Sequence, residues 1–196
     1  MGTRGAFGFR VNEQDKLLYN HFDSYPEGLG EDMIAFARKI ATDVPKYRSL
    51  AENLRMVDPD STPDIETVER AAQAGLHDLT VSNRSTTDWY CVLRNLQGEP
   101  EKTLEFGIAT SGGNDFVADS LFCEWAYIIN FDTGEIEIYK GFNTDPAAAG
   151  RYASLKDKGD GVEYFGVRLL GTFPLYDIPE DWQGKLLPPN VDEEAA

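Results

Sequence analysis

The side chains of this 196-residue chain best suited to chemistry gather near its start, in the stretch MGTRGAFGFRVNEQDKLLYNHFDSYPEGLG. Arg4, Asn20, His21 and Asp23 lie there among glycines, and chain ends are usually loose. So specific an end implies a tied-down N-terminus. A structural role accounts for the same residues. Gly2, Gly5 and Gly8 would admit a neighbouring backbone, Arg4 would pair with Asp23, and Asn20 and His21 would satisfy loop backbone groups. Farther along, Cys123 could join His21 as a thiolate–imidazole pair. Its alternative is a small buried hydrophobe at the start of an apolar strand. Trp125 and its neighbouring tyrosines are core by alternation, with some free to line a pocket. Cys123 and Trp125 are thus the candidate ligand contacts of the second half.

Other constellations weigh less. Glu124, Glu135 and Glu137 could do acid–base work, but the solvated face of a β-ribbon explains them. The run DKGDG at 157–161 lacks the acidic alternation and closing Glu of a calcium loop, and reads as a turn. TSGGND at 110–115 has no strand–GxxxxGK[ST]–helix context and reads as a loop. Cys91 lies beside Trp89 and Val92 and reads as core. His77 follows a helix end and reads as a cap or surface residue. No metal or cofactor set emerges.

These residues must be held by a definite frame. Residues 5–11 and 16–21 read as two strands around the turn Asn12-Glu13-Gln14-Asp15, with Phe7, Phe9 and Val11 on one face. After the breaker-rich DSYPEGLG, Met33, Phe36, Ala37, Ile40, Ala41 and Val44 form a helical stripe that Pro45 stops or kinks. A second stripe runs from Tyr47 to about Val57. Pro63 would open a third helix, with Thr62 as cap, ending near Gly75. Ser85 with Asp88 matches a capping box ahead of Trp89, and Gly98 stops that helix. CEWAYIINF and EIEIYKGF flank Asp132-Thr133-Gly134, a hairpin signal. The first of these strands is apolar on both faces. GVEYFGVRLLGTFPLY reads as another strand. The expected fold is α+β: antiparallel sheet with an N-terminal hairpin and about four helices, one domain over 1–190, and a disordered acidic tail at 191–196.

Composition narrows the function. The chain is 41% hydrophobic, and its 34 acidic against 18 basic residues leave a net charge of −16. That charge disfavours nucleic-acid backbones and anionic membranes. No apolar run approaches the ~18 residues of a membrane span, and no signal-peptide order opens the chain. Two cysteines support neither a disulfide framework nor a zinc cage. A cytoplasmic protein is expected, whose partner is a small-molecule ligand or another protein.

Two resemblances follow from the motifs. Thr3-Arg4-Gly5, the run from Tyr19 to Gly30, and LFCEWAYIINFDTGEIEIYKGF at 121–142 resemble a family of bacterial and phage-type proteins. That likeness spans most of the chain and brings no activity with it. The hairpin alone also resembles the start of N-terminal-nucleophile hydrolases of the choloylglycine and acid-ceramidase type. Those begin with Cys-Thr and a strand, and their return strand ends in Arg-Asn-x-Asp. Asn20, His21 and Asp23 stand at the Arg, Asn and active-site Asp of that signature; Gly2 stands where the nucleophile would be. The resemblance implies an Ntn-hydrolase-like layered fold and amide hydrolysis. A free α-amine with a pKa of ~7.7–8.0 deprotonates its own residue's hydroxyl. Thr3 would be the nucleophile once Met1 and Gly2 are removed, and Asp23 would orient the amine. Arg4, Asn20 and His21 would contact the substrate. The alternative is a non-catalytic binding protein, phage-encoded accessory proteins included, on the same scaffold.

Overall fold

A computed structural model describes residues 2–81, 85–156 and 163–187. The expected acidic tail at 191–196 lies outside the described residues, as does the turn read at 157–161. The chain is mixed α+β. Its main sheet has five strands in the order β2-β1-β5-β6-β7, formed by β1 (Gly5–Val11), β2 (Gln14–Asn20), β5 (Trp125–Asn130), β6 (Glu135–Lys140) and β7 (Arg168–Pro174). All its pairings are antiparallel except β1 with β5, which run parallel with Gly5 opposite Trp125. The sheet is therefore mixed at its centre, where antiparallel pairing was expected. β3 (Arg55–Val57) and β4 (Ile108–Thr110) form a separate parallel pair.

Both predicted hairpins form. The first turn is tighter than the four residues expected: Val11 faces Gln14, and Asn12 and Glu13 both adopt positive φ, at 52° and 62°. That is the backbone of a primed two-residue turn. Asp132, from the β5–β6 turn, accepts both its amides, from Asn12 N at 2.9 Å and Glu13 N at 2.8 Å. These bonds hold the carboxyl below the usual carboxylate range, the bond from Glu13 most of all, with Arg48 adding to them. In the second hairpin Gly134 takes φ 73°, the left-handed position its sequence implied.

Among the described residues seven α-helical segments replace the four or so expected. α1 (Glu31–Ile40) and α2 (Val44–Asn53) carry the two stripes; Pro45 lies in the first turn of α2, whose cap is Asp43. The second stripe then gives way to β3. α3 (Ile65–Gln73) is capped by Asp64, which accepts from Thr67 N, and not by Thr62. α4 (Trp89–Val92) is capped by Asp88 itself, after a 3-10 turn at Ser85–Thr87. α5 (Pro100–Phe106), α6 (Gly112–Phe116) and α7 (Trp182–Leu186) complete the set. No described helix is long and apolar enough to cross a membrane.

The sheet separates two cores. On one face Phe7, Phe9, Trp125, Tyr127, Ile129, Ile136 and Ile138 pack against Met33, Phe36, Ala37 and Ile40 of α1 and Trp182 of α7. On the other, Ala6, Leu17, Cys123, Ala126, Ile128 and Tyr139 pack with Val117, Tyr152 and Val167. All six residues of β5 are buried, as its two-sided apolar pattern required. A third cluster joins Ala71 and Leu76 to Trp89, Val92, Leu93, Leu96 and Ile108. It sets the outlying α3–α5 region beside the open end of the first hairpin.

Candidate functional site

At the end of β2 the chain must turn from a sheet edge into α1, and its polar side chains solve that local problem first. Asn20 is buried, and its Nδ2 donates to the Phe22 carbonyl at 2.5 Å and to Ser24 Oγ at 2.8 Å. Asp23 takes φ 53°, a conformation aspartate tolerates better than most residues. Its carbonyl accepts from Leu29 N at 2.8 Å. A Cβ on Gly28 would collide with that carbonyl, so this close approach requires glycine. The Ser24 N–H donates to the Thr3 carbonyl at 3.0 Å, and Glu124 N–H donates to the Arg4 carbonyl at 3.0 Å. The segment at Thr3 and Arg4 is thereby tied to both neighbours.

The resulting loop forms one wall of an open cleft of about 740 Å³. The opposite wall comes from the segments that follow α3 and α4 and from the start of α5, through Asp78, Arg94, Gln97, Glu99 and Lys102. Gln97 joins the walls: its Oε1 accepts from His21 N at 3.2 Å and from Arg94 Nη1 at 2.6 Å. Asp23, Asp32, Asp78 and Glu99 face two cations, Arg94 and Lys102. Lys102 reaches Glu99 at 2.9 Å. Partial burial raises the Asp32 carboxyl, and nearby Glu99 and Glu31 raise it further. Hydrogen bonds from Thr80, its hydroxyl foremost, hold the Asp78 carboxyl low. The cleft combines fixed charges of both signs with amide groups and the exposed rings of Phe22 and Tyr25.

A second concavity of about 440 Å³ is lined by Gly2, Thr3, Arg4, His21, Phe22 and Glu124. Thr3 and Asp23 thus line different concavities, with Phe22 bordering both. Arg4 lies over the Phe122 ring, 4.6 Å from its centroid. His21 Nδ1 and the Tyr19 hydroxyl share a 2.6 Å hydrogen bond. Partial burial lowers the His21 pKa first, and the cations Arg94 and Arg4 lower it further.

Cys123 and Trp125 border neither space. Cys123 is fully buried and its thiol donates to the Trp125 carbonyl at 3.5 Å. Burial pushes that thiol far above its ordinary pKa, which removes the thiolate a nucleophile needs. Trp125 stacks on Tyr127 at 6.3 Å, with Lys140 Nζ 3.8 Å from its ring. Both residues serve the core of the sheet.

Glu137 departs most from its sequence reading. It is buried, not on a solvated ribbon face. Its Oε1 accepts from Asn130 Nδ2 at 2.7 Å, and its Oε2 from the Tyr139 hydroxyl at 2.9 Å and Arg151 Nη1 at 2.5 Å. Arg151 also pairs with Asp15 at 3.1 Å. No group of His, Cys, Asp or Glu among the described residues could hold a metal ion.

Arg94, Gln97, Asp78 and Lys102 escaped the sequence reading, since nothing in their local pattern distinguishes them from surface residues. The one signal near them was Gly98, a helix stop at φ 76°. No family model, curated protein or solved structure matches this chain.

Proposed function

We propose that this chain is a binding protein for a small polar ligand that carries an amino group, held in the cleft between the β2–α1 loop and residues 94–102. The mixed-charge lining carries this reading: four carboxylates against two cations favour a zwitterion or amine over an anion. Asp23 would meet the ammonium group, Arg94 an accompanying carboxylate or hydroxyl, and Gln97 would keep the walls in register. Charged groups fixed on opposed walls select ligands through complementary potential. The experiment is a thermal-shift and calorimetric panel of amino acids, amino sugars and short polyamines against neutral sugars of similar size. Binding by an amine-bearing compound, lost in both Asp23→Asn and Arg94→Gln, is the expected result. No shift from any compound, or unchanged affinity in both variants, refutes it.

A second reading is an N-terminal-nucleophile amide hydrolase with Ntn-like layering. What favours it is the position of Thr3 beside Arg4 and His21 in the smaller concavity. It requires Thr3 as the first residue of the mature chain, because only then does its hydroxyl have an α-amine as base. Intact mass decides this. A purified protein that retains Gly2 rules out the mechanism; one that begins at Thr3 should lose all amidase turnover in Thr3→Ala.

A further inference from the structure

We infer that a third concavity, apart from the cleft and from the niche at Thr3, binds a neutral or cationic aromatic molecule of about two fused rings. It lies where β2, α4, β4 and α6 meet, and its volume is about 270 Å³. Its wall includes Tyr19, Trp89, Leu93, Ala109, Gly112 and Phe116. Trp89 and Leu93 at the two ends of α4 and Ala109 on β4 are all buried, so the shape is set by the fold and not by one mobile side chain.

Size, rigidity and charge each narrow the occupant. A dry apolar cavity of ~150 Å³ accommodates benzene, so this larger space suits a bicyclic ring system and is small for a steroid or long acyl chain. The aromatic walls are fixed. Trp89 Nε1 donates to Ser61 Oγ at 2.9 Å, and Tyr19 meets Phe116 edge-to-face at 4.9 Å between centroids. Fixed edges and faces suit a flat ring, which can stack or approach edge-on without ordering the site. Gln97 also borders the space. Its Oε1 is already engaged by His21 and Arg94, so the amide NH₂ is the group it offers. Asp88 in the lining, whose carboxylate caps α4, and a chain charge of −16 oppose an anion.

Gly112 supplies the test. It borders the cavity, and a Cβ there would meet nothing within 4 Å. It opens α6, where a larger residue is better tolerated than glycine. Gly112→Phe should therefore fold and occupy the space. The probes are indole and 2-naphthoate, titrated calorimetrically into the intact protein. Indole should bind one to one with a Kd on the order of 0.1 mM for a molecule of its size, and amide shifts should cluster at residues 89–93 and 109–116. Gly112→Phe, with an unchanged melting midpoint, should bind indole at least ~10-fold more weakly, and the parent should bind 2-naphthoate at least ~10-fold more weakly than indole. Three results overturn the inference: no binding at millimolar indole, equal affinity in folded Gly112→Phe, or shifts elsewhere in the protein. Equal affinity for the anion also overturns it. The shift map is read on the parent, so it decides even if the variant fails to fold.

Discussion

Arg151 is the residue whose loss should be felt most widely. Its guanidinium bridges Asp15 of the first hairpin and Glu137 of the second, with 3.0 Å bonds to the hydroxyls of Tyr139 and Tyr152. Burial works against its charge, but Tyr152, Asp15, Tyr139 and Glu137 outweigh that and hold its pKa up. Burial also drives both phenols far above their ordinary pKa, so they remain neutral hydrogen-bonding partners. Consider Arg151→Met, which keeps much of the stem and removes the charge. The Asp15 pair is partly solvated, with side-chain exposures of 26% and 19%, so it contributes about 0.5–1 kcal/mol. The Glu137 carboxylate, 7% exposed, would stay buried without its cation, and breaking such a pair costs about 3–5 kcal/mol. Asn130 and Tyr139 still donate to it, which places the total near ~3 kcal/mol. At roughly 2–4 °C per kcal/mol for a chain of this size, the midpoint should fall by about 6–12 °C. Urea unfolding of Arg151→Met, Glu137→Gln and the double variant closes the cycle. A coupling of at least ~1 kcal/mol is expected, because Glu137→Gln removes the charge that Arg151→Met strands. A single-variant loss below ~1 kcal/mol with additive effects would refute the reasoning.

Three further outcomes are expected. Glu13→Gly should stabilise the fold by about 0.5–1 kcal/mol in urea unfolding, since Glu13 sits at φ 62°, where glycine is unstrained; a loss of stability would contradict this. Gly5→Ala should cost about 1–3 kcal/mol, because its Cβ would run into the Trp125 carbonyl and Ser24 Cβ, whereas Gly112→Ala should be neutral or slightly stabilising. The His21 ring should titrate by NMR below the ordinary histidine range, and Arg94→Ala should bring it back up. With its folded pKa lowered, His21 contributes stability that is complete above the unfolded value of ~6.5 and is lost as pH falls through the folded pKa. Solvent screening keeps that contribution small.

How legible was this in the sequence? Local patterns spoke for local structure. The alternation of Phe7, Phe9 and Val11, the stripe from Met33 to Ile40, and the turn at Gly134 each predicted the element that forms. Short elements were hidden, because three-residue β3 and β4 and five-residue α6 and α7 are too brief for periodicity to register. The cap of α4 is Asp88, the last residue of the pattern read as a capping box. Pairing was hidden as well: nothing near Gly5 announces a parallel neighbour at Trp125. At the site the clasp was legible, since Asn20 does satisfy loop groups. The expected partnership of Arg4 with Asp23 was not found; Arg4 rests on Phe122, and Asp23 lines the cleft. The cleft's far wall comes from residues 75–81 and 94–102, distant in sequence and assembled only by tertiary packing. Glu137 looked like a surface residue because its partner, Arg151, lies beyond the hairpin.

The parallel seam between β1 and β5 has a consequence for how the protein is made. Its two strands are 120 positions apart in register, yet each is the other's only neighbour on that side. At ribosomal speeds of ~5–20 residues per second, the first hairpin must wait roughly 6–24 s for its companion. During that interval Phe7 and Phe9 have only α1 and α2 to pack against, Leu17 lacks its later partners Val117, Cys123, Ala126 and Ile128, and a bare strand edge invites foreign chains. Slow elongation or premature termination should therefore send nascent chains to holding chaperones or into aggregates. Synthesis through about residue 140 is the point at which the middle of the sheet first becomes able to close.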